Sequence, residues 1–153
     1  MSDALLNLIN GDIEAASTLL QLIDDEYQAL QARDLDALQK LLDSKLPLLQ
    51  QLEQNGRIRT QALLQAGLSA DRSGLAQIAQ ATGNAQLSAR AEELSALLAR
   101  CQDANQRNGR IIRSGQTSTE RTLDILRGQD TPRLYDRYGG STQGTRQRPL
   151  SQA

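Results

Sequence analysis

The side chains of this chain that could do covalent chemistry come down to one thiol, Cys101, and two adjacent carboxylate pairs, Asp24-Asp25 and Glu92-Glu93. A thiol needs a base beside it to serve as a nucleophile, and most zinc sites and Ser or Cys triads need an imidazole. The sequence has no His. Neighbouring residues on a helix diverge by about 100°, so neither carboxylate pair forms an acid–base dyad and both read as solvated faces. The glycines of "YGGSTQG" neither follow a strand nor open a helix with Lys-Ser/Thr, so they make no phosphate cradle. No enzyme is expected, and no metal or cofactor; binding through surfaces is what remains.

Those surfaces must be helical. Val, Phe and Trp are missing while Leu, Ala, Gln and Arg abound, which removes strand formers and leaves helix formers. The length suits one domain with appendages. From Leu6 the apolar positions run Leu6, Ile9, Ile13, Ala16, Leu20, Ile23, Tyr27 and Leu30, a three-four alternation that predicts a long amphipathic helix to about Ala32. Asp34 is placed to cap the next helix. That second helix carries Leu38, Leu41, Leu42, Leu46, Leu49, Leu52, Leu63 and Leu64 as one wide apolar stripe, with Gly67 as its stop. Pro47 lies inside it and predicts a kink near Asp43 or a helix restart.

A short helix is expected from about Ser73, entered through Ser73 itself, to Thr82, with Gly83 ending it and Asn84 capping the longest helix. The seam of that last helix is Leu87, Ala91, Leu94, Leu98, Cys101, Asn105, Asn108, Ile112, Gly115, Thr119, Thr122 and Leu126. At 1.5 Å per residue it spans about 60 Å, against about 45–50 Å for each of the first two. Cys101, on the seam, reads as a buried structural thiol. Asn105 and Asn108 either fix register by hydrogen bonding across an interface or mark a stretch without a partner. The expected fold is therefore all-α: an elongated antiparallel bundle of three long helices plus one short helix over residues 1–127, then a poorly structured C-terminal tail over 128–153.

Charge sharpens the choice of partner. The net charge is −1, with five Arg against two Asp from Arg127 onward, so the first 126 residues carry −4. An acidic body is no nucleic-acid footprint, and the helices lack the Lys/Arg band that anionic lipid attracts. A single Cys, the lack of a leader-like segment and the lack of any apolar run of about 20 residues predict a soluble, cytoplasmic protein. In an antiparallel bundle the longer last helix would overhang, carrying Leu123, Ile125 and Leu126 at its end. Such an end could cover another protein's helix, or fray, or self-associate.

The stretch "NQRNGRIIRSGQTSTERTLDILRG", a spacer, "LYDRYG" and a Gly/Ser/Gln/Arg tail together resemble the FlgN family of flagellar export chaperones. The matching positions are Asn108-Gly109, Ile111-Ile112, Leu123 to Leu126, Leu134-Tyr135 and Gly139. "DSKLPLLQQLE", Asp43 to Glu53, is similar to the family's Leu-rich stretch in its second helix. Pro47 and Tyr138-Gly139-Gly140 depart from the pattern. The resemblance implies a cytoplasmic chaperone that binds the C-terminal region of the hook–filament junction proteins FlgK and FlgL and delivers them to the export gate component FlhA.

On that reading Ile111, Ile112, Leu123, Ile125 and Leu126, with Leu134 and Leu150 in the tail, would contact a client helix, rimmed by Arg113, Arg121 and Arg127. Ile112 and Leu126 also continue the seam, and packing against the protein's own core is the favoured place for those two. Tyr135 would be the docking anchor for the gate, or else a cap on the helix end; Tyr27 serves packing and Tyr138 has no assigned role. The rival readings are a structural coiled-coil protein that self-assembles, with a possible homodimer through the first helix, and a secretion chaperone with other clients.

Overall fold

In the computed structural model the described residues are 1–128, and they form four helices: α1 Ser2–Ala32, α2 Leu35–Gln65, α3 Arg72–Thr82 and α4 Ala85–Leu126. The expected tail, with Leu134, Tyr135, Tyr138 and Leu150, lies outside them. The chain divides into two compact units, Met1–Asn108 and the residues from Gly109 on, with α4 running through the boundary.

Within the first unit the bonds between helices fix the topology. Gln51 Nε2 donates to the Gly11 carbonyl at 3.3 Å, Asn55 Nδ2 to Asp12 Oδ1 at 2.7 Å, and Lys45 Nζ to Glu26 Oε2 at 3.1 Å. Rising numbers on α1 meet falling numbers on α2, so these two are antiparallel. On the other side Asn84 bonds to Ser2, Arg90 to Asn10, Cys101 to Ala16 and Asn108 to Ile23. Numbers rise together there, so α1 and α4 are parallel, as an up-down-up order of three long helices requires.

The turns follow local chemistry. Arg33 closes α1 in the left-handed region at φ 56°, Asp34 N–H returns to the Ala29 carbonyl at 2.9 Å, and Asp34 Oδ1 accepts from Ala37 N at 3.1 Å, which is the expected cap. Gly67, at φ 75°, lets Leu68 N–H reach back to the Leu63 carbonyl at 2.9 Å and stops α2. Leu35–Gln65 is one helix with Pro47 inside it, so the chain does not restart there. Pro47 has no N–H to offer the Asp43 carbonyl, and both residues are exposed.

One cap differs from expectation. Asp71, not Ser73, opens α3: its Oδ1 accepts from Ser73 N at 3.0 Å and Gly74 N at 3.2 Å. The Ser69 hydroxyl first, then the Gly74 and Ser73 N–H groups, hold the Asp71 carboxyl below its usual value. A carboxylate outcompetes a hydroxyl for orphan N–H groups because its bonds are charge-assisted. Asn84 stands immediately before α4, at the expected cap position, and its amide Nδ2 donates to Ser2 Oγ at 3.0 Å. Gly74 sits where α3 crosses the incoming loop, and a Cβ there would overlap the Ser69 carbonyl oxygen. Gly74→Ala should therefore cost about 1–3 kcal/mol, read as a lower urea midpoint with an unchanged slope.

The core has two clusters. Leu5, Ile9, Ile13 and Ala16 of α1 pack with Leu63 of α2, Leu75, Ile78 and Ala79 of α3, and Leu87, Ala91 and Leu94 of α4. Leu19 and Ile23 pack with Cys101 and Ala104, backed by Leu20, Leu48 and Leu52. The wide stripe of α2 is only partly used: Leu63 alone is buried on that helix, Leu38, Leu41 and Leu52 are half-buried, and Leu42, Leu46, Leu49 and Leu64 are exposed. Where α2 meets Gly11 and Asp12 of α1, it does so through Gln51, Asn55 and Arg59 rather than through leucines.

Candidate client-binding segment

The polar middle of the α4 seam resolves into one buried asparagine. Asn108 is 2% exposed; its amide donates to the Ile23 carbonyl at 2.8 Å and to Glu26 Oε1 at 2.9 Å, and its Oδ1 accepts from Arg107 Nε at 3.1 Å. Every hydrogen-bonding group of that side chain is engaged, which is how a buried amide becomes affordable. Asn105 is exposed and Ala104 takes the buried place beside it. Cys101 is buried as expected; its thiol lies 3.5 Å from the Ala16 carbonyl, and burial pushes its pKa up, so it is a poor nucleophile. Arg107 covers the Tyr27 ring at 4.2 Å and bonds Asp24 Oδ1 at 3.0 Å, which places Tyr27 in packing.

From Gly109 onward α4 keeps its helical bonding to Leu126, and no residue from 109 to 128 is buried. Ile111 is half-buried, while Ile112, Leu123, Ile125 and Leu126 are 46%, 42%, 74% and 77% exposed. The expectation that Ile112 and Leu126 pack in the core is thus corrected. The three-four alternation continues past them, but a seam is only a supply of apolar positions; burial needs a facing helix. Leu134, Leu150 and Tyr135 fall outside the described residues.

The helical wheel sorts this segment into two halves. At about 100° per residue, Ile111, Ile112, Gly115, Ser118, Thr119, Thr122, Leu123, Ile125 and Leu126 share one side, and Arg110, Arg113, Glu120, Arg121, Asp124 and Arg127 the other. On the first side Thr119 and Thr122 turn their hydroxyls back onto the carbonyls of Gly115 and Ser118 at 2.9 and 3.0 Å. That satisfies the hydroxyls within the helix and leaves their methyl groups on its surface. The result is a mildly apolar strip, with charged side chains on the other half of the helix. Among the described residues no group of three or more His, Cys, Asp or Glu is placed to hold a metal ion, and no helix is long and apolar enough to cross a membrane.

Sequence reasoning missed the Asp12 pair: this carboxylate, 0% exposed, takes a hydrogen bond from Asn55 and an ion pair from Arg59. Its sign was available, since Asp12 interrupts the apolar side of α1 next to Ile13 and Ile9.

Comparison with curated protein sequences returns no match. Among solved structures, a crystal structure described as a flagella synthesis protein FlgN from Pseudomonas aeruginosa is 53% identical, covers 80% of this chain and 95% of its own, and superposes with a TM-score of 0.69. The family profile described as FlgN protein matches residues 1–143. With most of the chain inside that profile, and a close structural relative sharing its helices, this protein belongs to the FlgN family of flagellar export chaperones.

Proposed function

We propose that this chaperone acts in the cytoplasm, binds the C-terminal helical region of the hook–filament junction proteins FlgK and FlgL, prevents their premature association and delivers them to the export gate component FlhA. One observation supports the client reading above the others: α4 keeps its helix for 18 residues past its last buried side chain, Asn108, with Ile112, Leu123, Ile125 and Leu126 exposed. Covering three or four such side chains with a client helix yields several kcal/mol at about 25 cal/mol per Å², less the cost of association, which suits capture followed by release. Leu134 and Leu150 add apolar reach from the tail, and Tyr135 serves as the gate anchor.

The test is direct. Leu123→Ser with Leu126→Ser should weaken binding of the FlgK C-terminal segment at least tenfold by titration calorimetry while the helical circular dichroism stays unchanged; undiminished binding refutes the assignment. Tyr135→Ala should bind FlgK normally and lose FlhA, and if it keeps both partners the docking role falls. The exposed leucines of α2 favour a second reading, self-association into a homodimer. Light scattering of the chaperone alone separates the two.

A further inference from the structure

Every seventh residue along one side of α1 reads Leu5, Asp12, Leu19, Glu26, and along the facing side of α2 Leu38, Lys45, Leu52, Arg59. Leucine alternates with an acid on the first helix and with a base on the second. We infer that this alternation, and not the apolar stripe or the turn, sets the register in which α2 lies on α1. In the observed register Asp12 pairs with Arg59 and Glu26 with Lys45, while Leu52 packs against the cluster of Leu19, between the two pairs. None of the eight is exposed: Leu5, Asp12 and Leu19 are buried and the other five half-buried. Asp12 is fully engaged, since its other oxygen takes the Asn55 amide at 2.7 Å.

Apolar contact is non-directional, and a stripe as rich in leucine as that of α2 offers much the same contact after a slip of one heptad, about 10 Å. The turn is only weakly placed by its own chemistry. Its left-handed residue, at φ 56°, is Arg33, where Gly or Asn is usual, and the Asp34 cap bond is worth roughly fivefold in population. The charges resist the slip far more strongly. One heptad in one direction sets Asp12 against Leu52, Glu26 against Leu38, Arg59 against Leu5 and Lys45 against Leu19. In the other, Asp12 faces Ala66, Glu26 faces Leu52, Arg59 faces Leu19 and Lys45 faces Arg33. Both acids and both bases lose their partners while shielded, and breaking such a pair costs roughly a hundredfold or more in population each time. A slip of two heptads restores one pair and carries both members of the other beyond the overlap of the helices. The register also brings Leu63, the buried residue of α2, into the cluster with Leu5 and Leu75, so the seat of α3 follows from it. Polar residues used to specify register at some cost in stability are a known device at helix seams.

The register can be read as a distance. Spin labels at Ser17 and Gln39, both exposed, report it by pulsed electron paramagnetic resonance in the full chain with the buried Cys101 changed to Ala. The parent should give one distance. Asp12→Leu, Arg59→Met, Glu26→Gln and Lys45→Met together remove the charges, and Glu26→Gln keeps an acceptor for the Asn108 amide. This variant should stay helical and melt within about 5 °C of the parent or above it, yet show a second distance about 10 Å from the first. Leu38→Lys, Lys45→Leu, Leu52→Arg and Arg59→Leu move the bases by one heptad at nearly constant composition and should shift the distance by about 10 Å. Asp12→Arg with Arg59→Asp swaps one pair in place and should keep the parent distance. The parent distance alone, in either the folded charge-free or the folded shifted variant, overturns the inference, because the turn or the apolar contacts then suffice. If neither of those two folds, the alternation serves stability and not register, and the inference falls as well.

Discussion

Asp12→Ala should destabilise the protein by about 3–5 kcal/mol, seen as a fall in melting temperature of roughly 10 °C or more. Asp12 is 0% exposed, and the Arg59 side chain that pairs with it is 17% exposed. Taking the carboxylate away leaves a largely buried guanidinium without its counter-charge and the Asn55 amide without its acceptor. Removing both charges is a different experiment. Asp12→Leu with Arg59→Met replaces the pair by apolar groups of similar reach and should lie within about 1–2 kcal/mol of the parent, or above it. The large single-site loss and the small double-site loss together would show that the cost is an orphaned charge and not a missing attraction. A loss under 1 kcal/mol for Asp12→Ala would mean that water reaches the pair.

Leu87→Ala should cost about 2–5 kcal/mol, and Leu42→Ala within about 0.5 kcal/mol of nothing, in the same denaturation assay. Leu87 is 0% exposed in the cluster that joins all four helices, so its truncation leaves a cavity the bundle cannot fully close. Leu42 is 46% exposed on α2. Both occupy heptad-like stripes in the sequence, and their spacing gives no hint of the difference. A Leu42→Ala loss comparable to that of Leu87→Ala would mean that the α2 stripe is covered in solution, which is what self-association predicts.

The helices themselves were legible because each is written in local terms. Three-four spacing gave α1, α2 and α4, the Asp34 cap gave the first turn, and Gly67 and Gly83 gave two stops. The misread cap of α3 shows the limit of local rules. Ser73 and Asp71 are both acceptable N-caps by type, and the choice went to the one whose carboxylate also takes the Ser69 hydroxyl at 2.7 Å. Asn84 holds the expected position before α4, and its amide also donates to Ser2, a residue 82 positions away that no local window contains.

For the candidate segment, the residue types and their motif were visible while their environment was not. The match of "NGRIIRSGQTSTERTLDIL" to the FlgN pattern led to the family, and Asn108 was recognised as one of two seam asparagines that could set register. Which of the two is buried depends on whether Ala104 or Asn105 faces α1, and a drift of a few degrees per turn decides that. Ile112 and Leu126 failed in the opposite direction, being apolar and in phase yet exposed.

By itself, then, the sequence determined an all-α chain, its helix boundaries to within a residue or two, the lack of an imidazole for chemistry, and the family. Composition, periodicity and motif are properties of consecutive residues, so they survive without coordinates. Tertiary structure alone decided which leucines of α2 are buried, that Asp12 is a paired internal charge, and that burial along α4 ends at Asn108. Each of these depends on what stands opposite a side chain, and that is set by the angle and register at which distant helices meet.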